Sequence, residues 1–327
     1  MTDISLVRRA LVLAATTGAC SVQAQGFPSK TLTLVVPYPA GGPADATARW
    51  LEPGLRKSLG QVIVIDNVGG AGGSLGIQKV LGATADGHQF LLGTPSDVIL
   101  TPLALAAVKH RPEQLRLVGL ATRAPLVMVG NMQMTARSAQ ELLNGAQKPG
   151  ARELSYGSLG AGSLYHLLAE ELSSRQKIRM THVPYKGVAP LVQDLIGGQV
   201  DLAFLPSAGN LGDLIQHGRL RAFAVTDGQR LVRLPDVPTM NEVLGAQDFI
   251  YEIWAGLFVP RSVPADAAQR LNLAVNEALQ EPEYRRQVEA SGASVGTRLG
   301  LVEADSYLAE QTARYRRMAQ AVKLEPQ

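Results

Sequence analysis

The 327-residue chain has one cysteine, Cys20. A disulfide framework is therefore excluded, and so is any zinc or iron–sulfur site that needs paired thiolates. Metal-ligand spacings are absent as well: the five histidines form no HExxH or similar pattern. Aromatics make up only 5% of the residues, and the formal charge is only +3, with Lys and Arg scattered rather than gathered into a stripe. Nucleic acid is therefore a poor partner for this chain. No apolar run after the first 24 residues approaches the roughly 20 needed to cross a bilayer. What remains is 46% hydrophobic with Gly 33 and Pro 19, enough to build a buried core, by size two domains, joined by many tight loops.

The first residues read as an export signal. Arg8 and Arg9 form a basic start, ALVLAATTGA is an apolar centre, and Val22-Gln23-Ala24 is a small-residue cleavage site. We expect cleavage after Ala24 and a periplasmic product. That product has 29 basic against 27 acidic side chains. Twin-arginine export from Arg8-Arg9 and lipidation of Cys20 are the rival readings, and both match their patterns poorly.

Short β-rich runs alternate with helical periodicity along the rest of the chain. Strands are expected at 31–36, 61–66, 89–93, 115–120, 125–130, 154–158, 180–185, 199–205, 220–226 and 254–260. Helices are expected at 44–59, 74–84, 138–147, 163–174, 187–197 and 208–217, then at 264–280, 282–290 and 301–322 with no strand among the last three. The alternation predicts an α/β fold with largely parallel sheets. The terminal helices are placed most economically back over the first sheet. One domain is therefore expected from residues 25–125 and 253–327, and a second from 126–252.

Four strand-to-helix junctions share one chemistry: PYPAGGPAD, GTPSD, YGSLGAGS and LPSAGN. Each supplies Gly, Ser, Thr or Pro where the chain turns, offering amides and hydroxyls instead of a charged side chain. Helix starts carry unpaired N–H groups and the positive end of the helix dipole, which suits an anion. There is no GxxxxGK[ST] for a nucleotide phosphate, and GGAGG at 69–73 gives GxGxxxG rather than the dinucleotide GxGxxG. A carboxylate fits such a donor set better, because it only accepts. The string GGSLG also matches the GxSxG nucleophile elbow at Ser74. A secreted α/β hydrolase is the competing reading, with His166, His182 or His217 as candidate bases.

The strings VPYPAGGPADATARWL, VIVIDNVGGAGGSLG, DGHQFLLGT, SYGSLGAGSLYHL, HVPYKGVAPLVQDLIGGQVDLAF, LRAFAVT and LPDVPTMNEV stand in order along almost the whole mature chain. Together they resemble the extracytoplasmic solute-binding receptors of tripartite tricarboxylate transporters, the Bug or TctC-like family. The resemblance implies a type II periplasmic-binding-protein fold, with two lobes, a ligand cleft between them, no cofactor and no catalysis. It also implies a small carboxylate ligand (di-, tri- or aromatic) and delivery by a monomer to membrane permease subunits or a sensor protein. Carried over by position, the ligand contacts would come from Tyr38, Ala40, Gly41, Asp45, Thr94, Ser96, Ser158, Gly162 and Ser163. Asp45 would repel a carboxylate, so its expected role is to accept hydrogen bonds in the first turn of its helix. Lys186 is read as a surface charge, and His166 as either a cleft donor or a core residue. Where many relatives carry Asp after VDLAF, this chain has Leu205. If Leu205 faces the pocket, ligands bearing an ammonium group are disfavoured.

Overall fold

The computed structural model describes residues 26–322 and Leu324, so the expected export signal, with Cys20 and the expected cleavage site, lies outside the described residues. The chain runs through β1 (Leu32–Val36), α1 (Pro43–Leu59), β2 (Ile63–Asn67), α2 (Ser74–Leu81) and β3 (Gln89–Gly93). A π-helical turn, Ser96–Leu100, and the short α3 (Thr101–Ala104) lead to β4 (Leu115–Asn131). Next come α4 (Ala139–Ala146), β5 (Leu154–Ser158), α5 (Leu164–Gln176), β6 (Met180–Pro184), α6 (Val188–Gly197), β7 (Leu202–Pro206), α7 (Leu211–Gln216), β8 (Leu220–Val225) and α8 (Met240–Leu244). The chain closes with β9 (Glu252–Pro260), α9 (Ala265–Ala278), α10 (Pro282–Ala290), β10 (Ser294–Val295) and α11 (Leu301–Ala321).

These strands make two sheets that share β4. In the first the order is β2-β1-β3-β9-β4-β10; in the second it is β6-β5-β7-β4-β8. Neighbours among β1, β2 and β3, and among β5, β6 and β7, are parallel, whereas β4, β8, β9 and β10 pair antiparallel. The sheets are thus mixed rather than largely parallel. The expected strands 115–120 and 125–130 prove to be one continuous strand. No turn residue interrupts them, and the strand bends through register shifts between Leu117 and Gly119, Leu120 and Thr122, and Met128 and Val129. It changes sheets between Pro125, which faces Glu252 of β9, and Leu126, which faces Pro206 of β7. The late helices also enclose a strand that was not expected, the two-residue β10, which is too short to show periodicity.

The chain returns from the second sheet to the first just before β9, and the two crossings are tied together. Leu126 N–H donates to Thr226 Oγ1 at 2.9 Å, and Thr226 Oγ1 donates to the Tyr251 carbonyl at 2.5 Å. Beside them, Arg123 holds Glu252 through paired contacts of 2.9 to 3.0 Å. Apolar packing follows the expected pattern. Leu51 and Leu55 of α1 and Leu271 and Val275 of α9 share one core with Leu32, Leu34 and Leu257, each buried leucine contributing about 1.5–3 kcal/mol relative to exposure. A second core joins residues of both sheets, from Leu91 and Leu117 to Tyr156, Leu167 and Phe204, with α11 packed on it through Leu308 and Tyr315.

Ser138 accepts from Glu141 N–H at 3.2 Å, although the Glu141 carboxylate reaches Arg137 N–H rather than that of Ser138. Pro264 caps the start of α9.

Candidate functional site

The junctions after β1 and β5 are built alike. In the first, Gly41 has φ +83°, Gly42 is the extended cap, and α1 begins at Pro43. In the second, Gly162 has φ +75°, Ser163 is the extended cap, and α5 begins at Leu164. A left-handed backbone at both positions is why glycine stands there. In each junction the glycine N–H donates to the side chain four residues on. Gly41 N–H meets Asp45 Oδ2 at 2.9 Å, and Gly162 N–H meets His166 Nδ1 at 3.1 Å. Alanine precedes the glycine in both, and among the described residues the amides of Ala40 and Ala161 have no hydrogen-bond partner. This twofold recurrence, A-G-x-x-x-(acceptor), is too short and too divergent to register as a sequence repeat.

Asp45 is almost wholly buried. Burial pushes its pKa up, but hydrogen bonds from Arg49 and from the Gly41 amide outweigh that, so the carboxyl sits below its ordinary range. It stiffens the loop, as its place in the first turn suggests. His166 takes part in its junction directly, through the Gly162 amide. Because a backbone N–H donates to Nδ1, the ring carries its proton on Nε2, and burial holds its pKa below the usual value.

The junction after β3 is different. Its donors are spent on an internal carboxylate, that of Asp97, which is fully buried. Tyr38 Oη–H donates to Asp97 Oδ2 at 2.7 Å, Thr94 N–H reaches Asp97 Oδ1 at 2.9 Å, and Thr94 Oγ1–H reaches Oδ2 at 2.9 Å. Burial raises the Asp97 pKa to about 7, against the opposing pull of the Tyr38 and Thr94 bonds. Ser96 Oγ accepts from Leu164 N–H, at the start of α5, at 3.3 Å. Here the two lobes touch, with Gly162 lying directly against Ala104. Asp97 escaped the sequence reading because an Asp four residues past a strand resembles any helix-start acid. Only the fold carries Tyr38 to it from the loop after another strand.

Ser158, at the end of β5, is buried and lies 2.6 Å from His182 Nε2 and 3.1 Å from the Gly160 N–H. Burial, reinforced by the neighbouring His166, lowers the His182 pKa to about 4. Ser163 caps α5, its Oγ accepting from His166 N–H at 3.3 Å and donating to the Gly160 carbonyl at 2.8 Å. Of the residues named from the sequence, Tyr38, Thr94 and Asp45 therefore form internal bonds around the first lobe's loops. Ala40, Gly41, Ser158, Gly162 and Ser163 make the paired junctions, and Ser96 bridges the two sets.

Leu205 lies on β7, between β4 and β5. It is 1% exposed and packs with Val127, Leu191, Leu195 and Leu211. Those neighbours belong to the apolar core of the second lobe. The hydrolase geometry suggested by GGSLG is not assembled. Ser74 is 1% exposed and its Oγ accepts from Gln78 Nε2 at 3.2 Å. His166, His182 and His217 bond instead to Gly162 N–H, Ser158 Oγ and the Asp213 carbonyl. The glycines around Ser74 serve close packing: a Cβ on Gly73 would lie 2.6 Å from that of Asp97. Lys186 is exposed.

Two lobes of mixed sheet, crossed twice and meeting at strand-end loops, define a type II periplasmic-binding-protein fold. The family of tripartite tricarboxylate transporter family receptors (TctC) matches residues 47–324, and the chain belongs to it. It is 34% identical over 289 residues to protein BugT of Bordetella pertussis, covering 86% of this chain and 87% of that one. Among solved structures, a Rhodopseudomonas palustris protein with adipate superposes with a TM-score of 0.84 at 29% identity, over 92% of this chain and 100% of that one. MatC from the same organism, with bound malate, gives 0.81 at 30% identity over 89% and 99%. Among the described residues, no helix is long and apolar enough to cross a membrane.

Proposed function

We propose that this receptor captures a small carboxylate between its lobes and hands it to the permease of a tripartite tricarboxylate transporter, working in the periplasm after loss of residues 1–24 and performing no chemistry. The lobes comprise residues 25–125 with 253–327, and residues 126–252. The observation that carries this reading is the doubled junction, in which the Ala40 and Ala161 amides stand unpaired beside left-handed glycines whose own amides are held back. One carboxylate accepting from both lobes stabilises their closed arrangement, because only that arrangement supplies both donors. The donors of Thr94 and Tyr38 already serve Asp97, so the ligand's acid group is assigned to the two alanine junctions rather than to the loop after β3. The carboxylates bound by the two structural relatives, adipate and malate, are of the class such a clasp recognises.

Calorimetric titration with adipate, malate, citrate and benzoate tests the proposal. A dissociation constant near micromolar, about 8 kcal/mol, is expected for at least one of them. Failure of every carboxylate to bind below millimolar concentration refutes it.

A further inference from the structure

The two junctions differ in one respect, the acceptor that locks each glycine. Asp45 locks the first and is paired with Arg49 at 2.9 Å; His166 locks the second. Nδ1 is the only His166 ring nitrogen without a proton, so a proton added there sets one N–H against the Gly162 N–H, and the bond that shapes the turn is lost. We infer that His166 is a positioning residue: by accepting the Gly162 amide it fixes the turn that leaves the Ala161 amide available, and its protonation releases the second lobe's junction while the Asp45-held junction of the first lobe stays formed. The inference rests on the reading of these junctions as the carboxylate clasp.

The surroundings set the direction. On α5 itself, Glu170 Oε1 lies 3.9 Å from His166 Nε2. From β6, His182 packs on the ring with centroids 4.4 Å apart, and from β5, Tyr156 stacks at 6.2 Å while its hydroxyl donates to Glu170 at 2.5 Å. The loop, Leu159 to Ser163, contributes no charged side chain. One carboxylate engaged elsewhere and a second imidazole do little to welcome a cation, and burial lowers the His166 pKa. His166 is therefore neutral at pH 7 and locks the turn there. The lock is lost as pH falls through a value below the usual 6.5. Asp45, also depressed, remains an acceptor to more acid pH.

Nuclear magnetic resonance of the mature protein without ligand tests this directly. The His166 ring should show the Nε2–H tautomer. On acidification the Gly162 amide resonance should move in step with His166, while that of Gly41 does not. His166→Asn supplies an acceptor that does not titrate, and should keep the Gly162 amide protected while abolishing its pH step. His166→Phe keeps the bulk without the acceptor, and should speed Gly162 amide exchange about tenfold or more, the loss of one hydrogen bond. A Gly162 amide indifferent to His166 protonation overturns the proposal, and the wild-type titration decides this even if a variant fails to fold. In a second arm, adipate and malate affinities are compared at pH 7 and at the acid pH where the wild-type titration shows His166 protonated, where wild type should weaken several-fold more than His166→Asn. If the amide results hold and none of adipate, malate, citrate and benzoate binds, the lock stands and the carboxylate reading falls. If an acid binds with equal pH dependence in both proteins, the lock is refuted and the clasp survives.

Discussion

Replacing Gly162 with alanine probes the contact between the lobes more sharply than any other single change. Two penalties combine there. The first is conformational: at φ +75° an L side chain sits in the left-handed region, at a cost of about 1–2 kcal/mol. The second is steric. The new Cβ would lie 1.9 Å from Ala104 Cβ and 3.3 Å from Ala104 Cα, whereas carbon atoms prefer 3.5–4.0 Å. Roughly 2 Å must be found between α3 and the start of α5. Neither partner is a flexible side-chain tip, so the cost is that of overpacking, about 1–3 kcal/mol. Gly41→Ala is the matched control, because its φ is +83° but nothing lies within 4 Å of the added Cβ. Urea denaturation should therefore show Gly162→Ala losing about 2–5 kcal/mol and Gly41→Ala only about 1–2 kcal/mol. Small-angle scattering should show Gly162→Ala more open, since displacing the contact separates the lobes. Equal losses for the two variants, with equal scattering profiles, would refute the claim that these loops meet across the lobes.

Two other outcomes follow from the same packing. Thr226→Val keeps the shape but strands the Leu126 amide and the Tyr251 carbonyl at the crossings, and should lower stability by about 1–3 kcal/mol in the same assay. Burial raises the Asp97 pKa to about 7 in the folded state against an ordinary 3.8, so between those values the folded protein holds a proton that the unfolded chain has lost. The stability this contributes is fully present below pH 4 and is lost as pH rises through 7, at a slope of about 1.4 kcal/mol for each pH unit in that window. Asp97→Asn should flatten that part of the stability–pH curve measured by thermal unfolding from pH 4 to 8; an unchanged slope would show that Asp97 titrates as an ordinary carboxylate.

Periodicity and turn chemistry in the sequence determined the elements of this protein. TLTLVV ends in a continuous apolar run because β1 is a central strand between β2 and β3, buried on both faces, and VPADAAQRL starts a helix because proline fixes the backbone before α9. The glycine-rich junctions were legible too, since Gly41 and Gly162 are needed wherever a left-handed turn must precede a helix. What the sequence could not decide is which polar groups meet over long separations. Tyr38 and Asp97 are 59 residues apart, and Ser96 and Leu164 are 68 apart. These pairings consume donors that, read locally, look free for a ligand. Leu205 shows the same limit from the apolar side: a strand residue points to core or cleft according to which strands flank it. Hydrogen bonds are short and directional, so their assignment waits on the packing of whole lobes, whereas backbone preference acts within a few residues and is written directly in the chain.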